Sequence, residues 1–156
     1  MALADDLIEK GVLKTPRIVE AFQNIQRADF MPERERVLAG VDEAFPIGEG
    51  QTISQPYTVA FLLELLQPEP GNCVLDIGYG SGWQSALLAH IVTNNTKTPG
   101  RVFAIERIPQ LCKFGLKNIS KYNYITNGVV ETFCADAATE LTPIAKKTGG
   151  FDRIIA

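Results

Sequence analysis

The chain has 156 residues, enough for one domain with a core of useful size, and its 46% hydrophobic and 21% charged residues are those of an ordinary globular protein. A formal net charge of −3 leaves no basic surface of the kind that non-specific nucleic-acid binding needs, and no apolar run approaches the length of a membrane span. The acidic start from Met1 to Asp6 is unlike a signal peptide. The 3 cysteines, Cys73, Cys112 and Cys134, are scattered without a Cys-x-x-Cys pair; neither a metal site nor a disulfide framework is expected, and a reducing cytoplasm fits.

The first third reads as helical. Leu3, Leu7 and Ile8 recur at helical spacing before Gly11, and Thr15-Pro16 forms an N-cap followed by proline in the first turn. The second helix carries the apolar stripe Ile18, Val19, Phe22 and Ile25, and Arg27 to Glu35 reads as an irregular connection. From Phe45 to Gln55 glycine and polar residues dominate, which is loop chemistry, too irregular for a helix or a long strand. A third helix follows, with Val59, Leu62, Leu63 and Leu66 on one face, and it stops before Pro68-Glu-Pro-Gly71. Ser54 is a candidate N-cap for it.

The pattern then changes to strands alternating with helices. Cys73–Ile77, Arg101–Glu106 and Val129–Cys134 read as strands, with helices over Trp83–Val92 and Pro109–Lys121 and a polar turn from Thr93 to Gly100. Phe151–Ala156 opens a fourth strand. This order predicts an α/β fold with a Rossmann-like, doubly wound, mostly parallel sheet behind an N-terminal helical segment. A strand at the very end of the chain suggests a domain truncated before its C-terminal strands. The expected division is 1–45 helical segment, 46–71 loop and helix, and 72–156 sheet core. His90 falls mid-helix among Leu87, Leu88 and Ile91 and receives no role.

The segment Asp76-Ile-Gly-Tyr-Gly-Ser-Gly82 follows the first strand, where ligands of such sheets bind. The dinucleotide fingerprint would require its third glycine at position 83, which is Trp83, so a nicotinamide dehydrogenase is disfavoured. The spacing of Gly78, Gly80 and Gly82 behind the acid Asp76 suits S-adenosylmethionine instead, whose amine and sulfonium are cationic. Glu106, ending the second strand, is placed to accept ribose hydroxyls, and Asp136, after the third, to reach the adenine amino group. The three acids are expected in register across the sheet. The bland alternative is that the glycines make a tight turn and the acids cap helices.

Pro46-Ile-Gly-Glu-Gly-Gln-Thr-Ile-Ser-Gln-Pro56, together with Val74-Leu-Asp-Ile-Gly-Tyr-Gly-Ser-Gly-Trp-Gln84 and Phe103-Ala-Ile-Glu-Arg107, resembles the protein-L-isoaspartate (D-aspartate) O-methyltransferases. The resemblance spans essentially the whole chain, and its most specific part is Gly50 to Pro56. It implies a class I methyltransferase that methylates the carboxyl group of isoaspartyl and D-aspartyl residues in damaged proteins, after which the ester closes to a succinimide and repair begins. It implies Ser54 as the active-site residue, with Thr52, Ile53 and Gln55 beside it lining the cleft. It also implies Thr52, Ile53, Ser54, Asp76, Gly78, Gly80, Gly82, Glu106 and Asp136 as cofactor-binding residues and no metal. The expected partners are damaged proteins or peptides, not nucleic acid or membrane, and a monomer is expected. Ala137 departs from the glycine usual in the family after the third acid, and the family's C-terminal region is absent beyond Ala156.

The chemistry agrees with a chain of one histidine. A carboxylate is already ionised at neutral pH and needs no strong base, so alignment of the partners can carry the catalysis, worth about 7–11 kcal/mol. Two alternatives stay open: a methyltransferase with another substrate, and a truncated or degenerate relative that binds cofactor or a partner without turnover.

Overall fold

The computed structural model describes residues 3–94 and 96–156. The first two residues of the acidic N-terminal stretch, and Asn95 within the polar turn, lie outside them. Two helices open the chain, α1 (Leu3–Glu9) and α2 (Pro16–Asn24), followed by 3-10 turns at Arg27–Phe30 and Glu33–Leu38. A small hairpin of β1 (Phe45–Gly48) and β2 (Gln51–Ile53) leads into α3 (Pro56–Leu66). The remainder alternates: β3 (Cys73–Ile77), α4 (Trp83–Thr93), β4 (Arg101–Glu106), α5 (Pro109–Ser120), β5 (Val130–Cys134), α6 (Ala137–Thr148) and β6 (Arg153–Ile155).

β3, β4, β5 and β6 form one parallel sheet in the order β5-β4-β3-β6. The chain therefore steps outward from β3 to β5 and then returns to the other side of β3. That reversal leaves the crevice at the carboxyl end of β3 where the glycine loop lies. Side chains alternate across the sheet, as period two requires. Val74, Val102, Ala104, Val130 and Ile155 join the large core beneath α4 and the N-terminal helices. Leu75, Phe103 and Ile105 face a second core closed by Ile144 of α6. Helices thus cover both faces, and the expected α/β, Rossmann-like sheet is the fold observed.

The N-terminal helices are fastened to this core rather than appended to it. Phe22 of α2 meets Trp83 of α4 edge-on at a centroid distance of 5.5 Å. In α1 the buried residues are Ala4 and Leu7, while Ile8 is 43% exposed, so the inward face is rotated from the expected stripe.

Four other expectations are corrected. The stretch from Phe45 contains the antiparallel β1–β2 hairpin, whose register shifts between Pro46 and Gly48 and so hides any alternation. The N-cap of α3 is Gln55, not Ser54, and the first turn is capped from a distance: the Tyr57 N–H donates to Asp42 Oδ1 at 2.8 Å. α6, not anticipated between the third and fourth strands, holds Pro143 inside it and buries only Ile144. Cys112 and Cys134, expected to be unpaired, are joined by a disulfide that ties α5 to the end of β5, and Cys73 is free. The pairing escaped the spacing argument because two different elements bring the thiols together.

Candidate active site

The glycine loop is held from both sides. The Gly78 N–H donates to the Ile105 carbonyl at 2.7 Å, which carries the loop across the end of β4. Gly82 then caps α4 at φ +86°, a left-handed conformation that glycine adopts without steric cost. One face of α5 grips the other side. The Tyr79 hydroxyl donates to the Cys112 carbonyl at 3.1 Å, and Asn118 Nδ2 donates to the Ser81 carbonyl at 3.1 Å. Between them, Gly115 lets the loop lie against the helix: a Cβ there would stand 2.5 Å from the Gly80 carbonyl oxygen.

The three acids form a staircase rather than a row. Asp76 pairs with Ala104, and Glu106, two residues further along, pairs with Cys134, itself two residues before Asp136. Glu106 thus lies about 6.6 Å higher along the strands than Asp76, at a rise of about 3.3 Å per residue, and Asp136 follows two residues beyond the end of β5. Their surroundings follow that order. Asp76 is fully buried and lines neither cleft; Ser85 Oγ donates to its Oδ2 at 2.5 Å and Gln84 Nε2 to its Oδ1 at 2.9 Å. Burial pushes its carboxyl above the usual range, with the nearby Glu106 charge adding to the shift. Glu106 stands at the cleft wall, accepting from the Gly80 N–H at 3.1 Å and the Ile108 N–H at 2.9 Å. A carboxylate has about four acceptor sites, so capacity remains for a ligand's hydroxyls. Asp136 is exposed, lines the same cleft and caps α6 by accepting from the Ala138 N–H at 2.9 Å. That residue thus both caps the helix and borders the cleft.

Two clefts meet over the loop. The larger, about 300 Å³, runs over the ends of β3, β4 and β5, with Gly78, Gly80, Glu106 and Asp136 below and Ile47 and Thr52 of the hairpin opposite. Ile108, Leu111 and Ala137 give it apolar walls suited to a flat ring. The smaller, about 120 Å³, lies between Thr52, Ile53 and Ser54 on one side and Trp83, Gln84 and Ala156 on the other. Thr52, Gly78 and Gly80 border both. The fold therefore brings Thr52, Ile53, Ser54, Gly78, Gly80, Glu106 and Asp136 together. Gly82 lines neither cleft; a Cβ there would stand 2.7 Å from Ile119 of α5, so its place is the loop-helix contact. Among the described residues no cluster of three or more His, Cys, Asp or Glu side chains is arranged to hold a metal ion.

The arrangement matches known proteins over nearly its full length. The family model described as protein-L-isoaspartate(D-aspartate) O-methyltransferase matches residues 1–154. The chain belongs to that family. A protein-L-isoaspartate O-methyltransferase of Aeropyrum pernix is 43% identical over 141 residues, covering 90% of this chain and 52% of that protein. Its counterpart in Methanopyrus kandleri is 39% identical over 153 residues, covering 98% of this chain and 63% of that protein. The chain thus spans between half and two thirds of the length of these curated relatives. A crystal structure of a protein-L-isoaspartate O-methyltransferase from Plasmodium falciparum, in complex with S-adenosyl-L-homocysteine, superposes with a TM-score of 0.86 at 23% identity. That match covers 97% of this chain and 70% of the other, and it bears on the fold.

Several residues of this methyltransferase-family site make contacts that the sequence does not signal. Gln84 and Ser85 hold Asp76, Asp42 caps α3, and Arg27 donates from Nη2 to the Ser54 carbonyl at 3.1 Å. Each acts across elements, where neither periodicity nor motif spacing reaches.

Proposed function

We propose that this chain uses S-adenosylmethionine to methylate the carboxyl group of L-isoaspartyl and D-aspartyl residues in damaged proteins. The observation that carries the reading is the meeting of the two clefts over Gly78, Gly80 and Thr52. Family membership and the names of its relatives support it. The larger cleft fits the cofactor: an acid with spare acceptor capacity faces the space for a ribose, and apolar walls flank the space for a purine. Bound there, S-adenosylmethionine supplies an electrophilic methyl group. Glu106 would receive the ribose hydroxyls, Asp136 would serve the adenine end, and the backbone at Gly78 and Gly80 would admit the ligand closely. Asp76 serves this site through Gln84 and the start of α4, because its own oxygens are occupied and buried.

The smaller cleft takes the substrate carboxylate. Ser54 is exposed at its edge, and its role is to orient that carboxylate rather than to attack. No base is required of the chain, since the nucleophile arrives ionised. Its contribution is to hold carboxylate and methyl donor in line. A monomer in the cytoplasm, free of nucleic acid, remains the proposed setting. Among the described residues no helix is long and apolar enough to cross a membrane.

The test is transfer of labelled methyl groups to an isoaspartyl peptide and to its normal aspartyl twin. Labelling of the isoaspartyl peptide alone is expected, and equal labelling of both would refute the substrate assignment. Ser54→Ala should slow transfer roughly tenfold, the effect of one lost orienting hydrogen bond of about 1.4 kcal/mol, and leave S-adenosylhomocysteine affinity within about threefold. An unchanged rate removes Ser54 from the mechanism.

A further inference from the structure

Arg27 lies in the 3-10 turn after α2, far from every recognisable motif, yet it is only 3% exposed. Its hydrogen bonds go to backbone carbonyls: Nη1 donates to Ala39 at 3.3 Å and Val41 at 2.9 Å, Nη2 to Glu43 at 2.7 Å and Ser54 at 3.1 Å. The first three acceptors lie on the approach to β1, and the fourth lies just past β2. One guanidinium therefore grips both ends of the hairpin that roofs the clefts. It is also flanked by two rings, with its central carbon 5.6 Å from the Phe45 centroid and 5.3 Å from that of Trp83. Trp83 begins α4 directly after Gly82 and lines the smaller cleft opposite Ser54.

We infer that Arg27 is a positioning residue for methyl transfer, clamping the Ser54 backbone and the hairpin against Trp83 so that the substrate cleft keeps its width. The inference rests on the proposed function for its catalytic consequence and on geometry for the clamp itself. A buried cation is costly unless its donors are engaged; here four carbonyls take Nη1 and Nη2 and two aromatic faces flank the group, while the buried Nε has no hydrogen-bond partner among the described residues. Burial lowers its pKa to about 10, which Asp42 partly opposes, and it stays charged at neutral pH. Only a planar fork can serve carbonyls on two sides while lying between rings; a lysine ammonium supplies the charge without the fork.

The floor of the cofactor cleft, the glycine loop and Glu106, is held by β4 and α5, and the hairpin adds only its roof at Ile47, Gln51 and Thr52, so cofactor affinity should suffer less than peptide turnover when Arg27 is lost. Arg27→Lys and Arg27→Met are compared with the unaltered chain. Expected for both is a fall in kcat/KM for an isoaspartyl peptide of about tenfold or more, since small misplacements of aligned groups are amplified in rate. The Kd for S-adenosylhomocysteine should rise by a smaller factor than kcat/KM falls, and amide exchange should accelerate over residues 39–54 and not across β3 and β4. Trp83, the 1 tryptophan in the chain, should shift its emission as its flanking cation moves. Phe45→Leu loosens the clamp from the ring side, and should either Arg27 variant fail to fold it is expected to show the same split. Equal losses in peptide turnover and cofactor affinity, or exchange accelerated uniformly, would overturn the clamp. So would unchanged turnover in Arg27→Lys. Should the unaltered chain methylate no isoaspartyl peptide, the functional reading falls, and the exchange pattern with the cofactor titration still decides the clamp.

Discussion

Glu64 of α3 accepts four hydrogen bonds from the N-terminal segment and its own helix end. The backbone N–H groups of Lys14 and Thr15 reach Oε1 at 2.7 Å, the Thr15 hydroxyl reaches Oε2 at 2.6 Å, and Gln67 Nε2 reaches Oε2 at 3.1 Å. Burial alone would raise its pKa; the hydrogen bonds outweigh it and hold the carboxyl below its ordinary value of 4.5. A carboxyl depressed in the folded state contributes stability that is present above its unfolded pKa and lost as pH falls through the folded one. Thermal stability should therefore fall as pH drops below about 4.5, and Glu64→Gln should flatten part of that acid limb while lowering the Tm at pH 7. A set of melting curves from pH 3 to 7 checks this; an acid limb of unchanged slope in the variant would show that Glu64 does not contribute to it. Asp42, also held low through Lys10 and the Tyr57 N–H against the effect of burial, leaves the limb sloped in either protein. That Gly78, Gly80 and Glu106 would gather at one cleft was legible, because each sits at or just past the end of a strand readable from the sequence. The burial of Asp76 beneath the cleft was not legible, because its position two steps below Glu106 depends on strand register and on hydrogen bonds from Gln84 and Ser85 that span two elements.

At the scale of elements, the contact between α5 and the glycine loop depends on Gly115. A Cβ there would stand 2.5 Å from the Gly80 carbonyl and 2.7 Å from the Tyr79 ring, and the carbonyl is backbone that cannot swing aside. Gly115→Ala gains helix propensity, worth about 1 kcal/mol, yet the overpacking costs about 1–3 kcal/mol and must be relieved by moving the helix or the loop. The variant should fold with a Tm at or below that of the parent and bind S-adenosylhomocysteine more weakly, read by calorimetric titration. Full affinity would mean that the loop does not need α5 at that distance. The same elements show what a sequence makes visible. β3 and β4 are legible to the residue because buried parallel strands read as continuous apolar runs between turn signals. The hairpin is not, since a bulge and positive-φ residues at Gly48, Glu49 and Gly50 break its alternation. α6 is obscured by Pro143 and by a buried face reduced to Ile144.

For the molecule as a whole, the Cys112–Cys134 disulfide fastens the edge strand β5 to the helix that grips the glycine loop. Cys112 is 6% exposed, but Cys134 is exposed at the strand end, so a reductant can reach the bond. The cross-link spans 22 positions, for which the loss of unfolded-chain entropy corresponds to about 3 kcal/mol. In a domain of this size that is roughly 6–12 °C in Tm. Melting with and without a phosphine reductant should show a drop of that order, and Cys112→Ser should melt with the reduced protein and no longer respond to reductant. The partner change Cys134→Ser separates the bond from the packing of Cys112, because it removes the cross-link at an exposed end and leaves the buried thiol in place. Identical melting of the oxidised and reduced chain would mean that the sheet edge is held by packing alone.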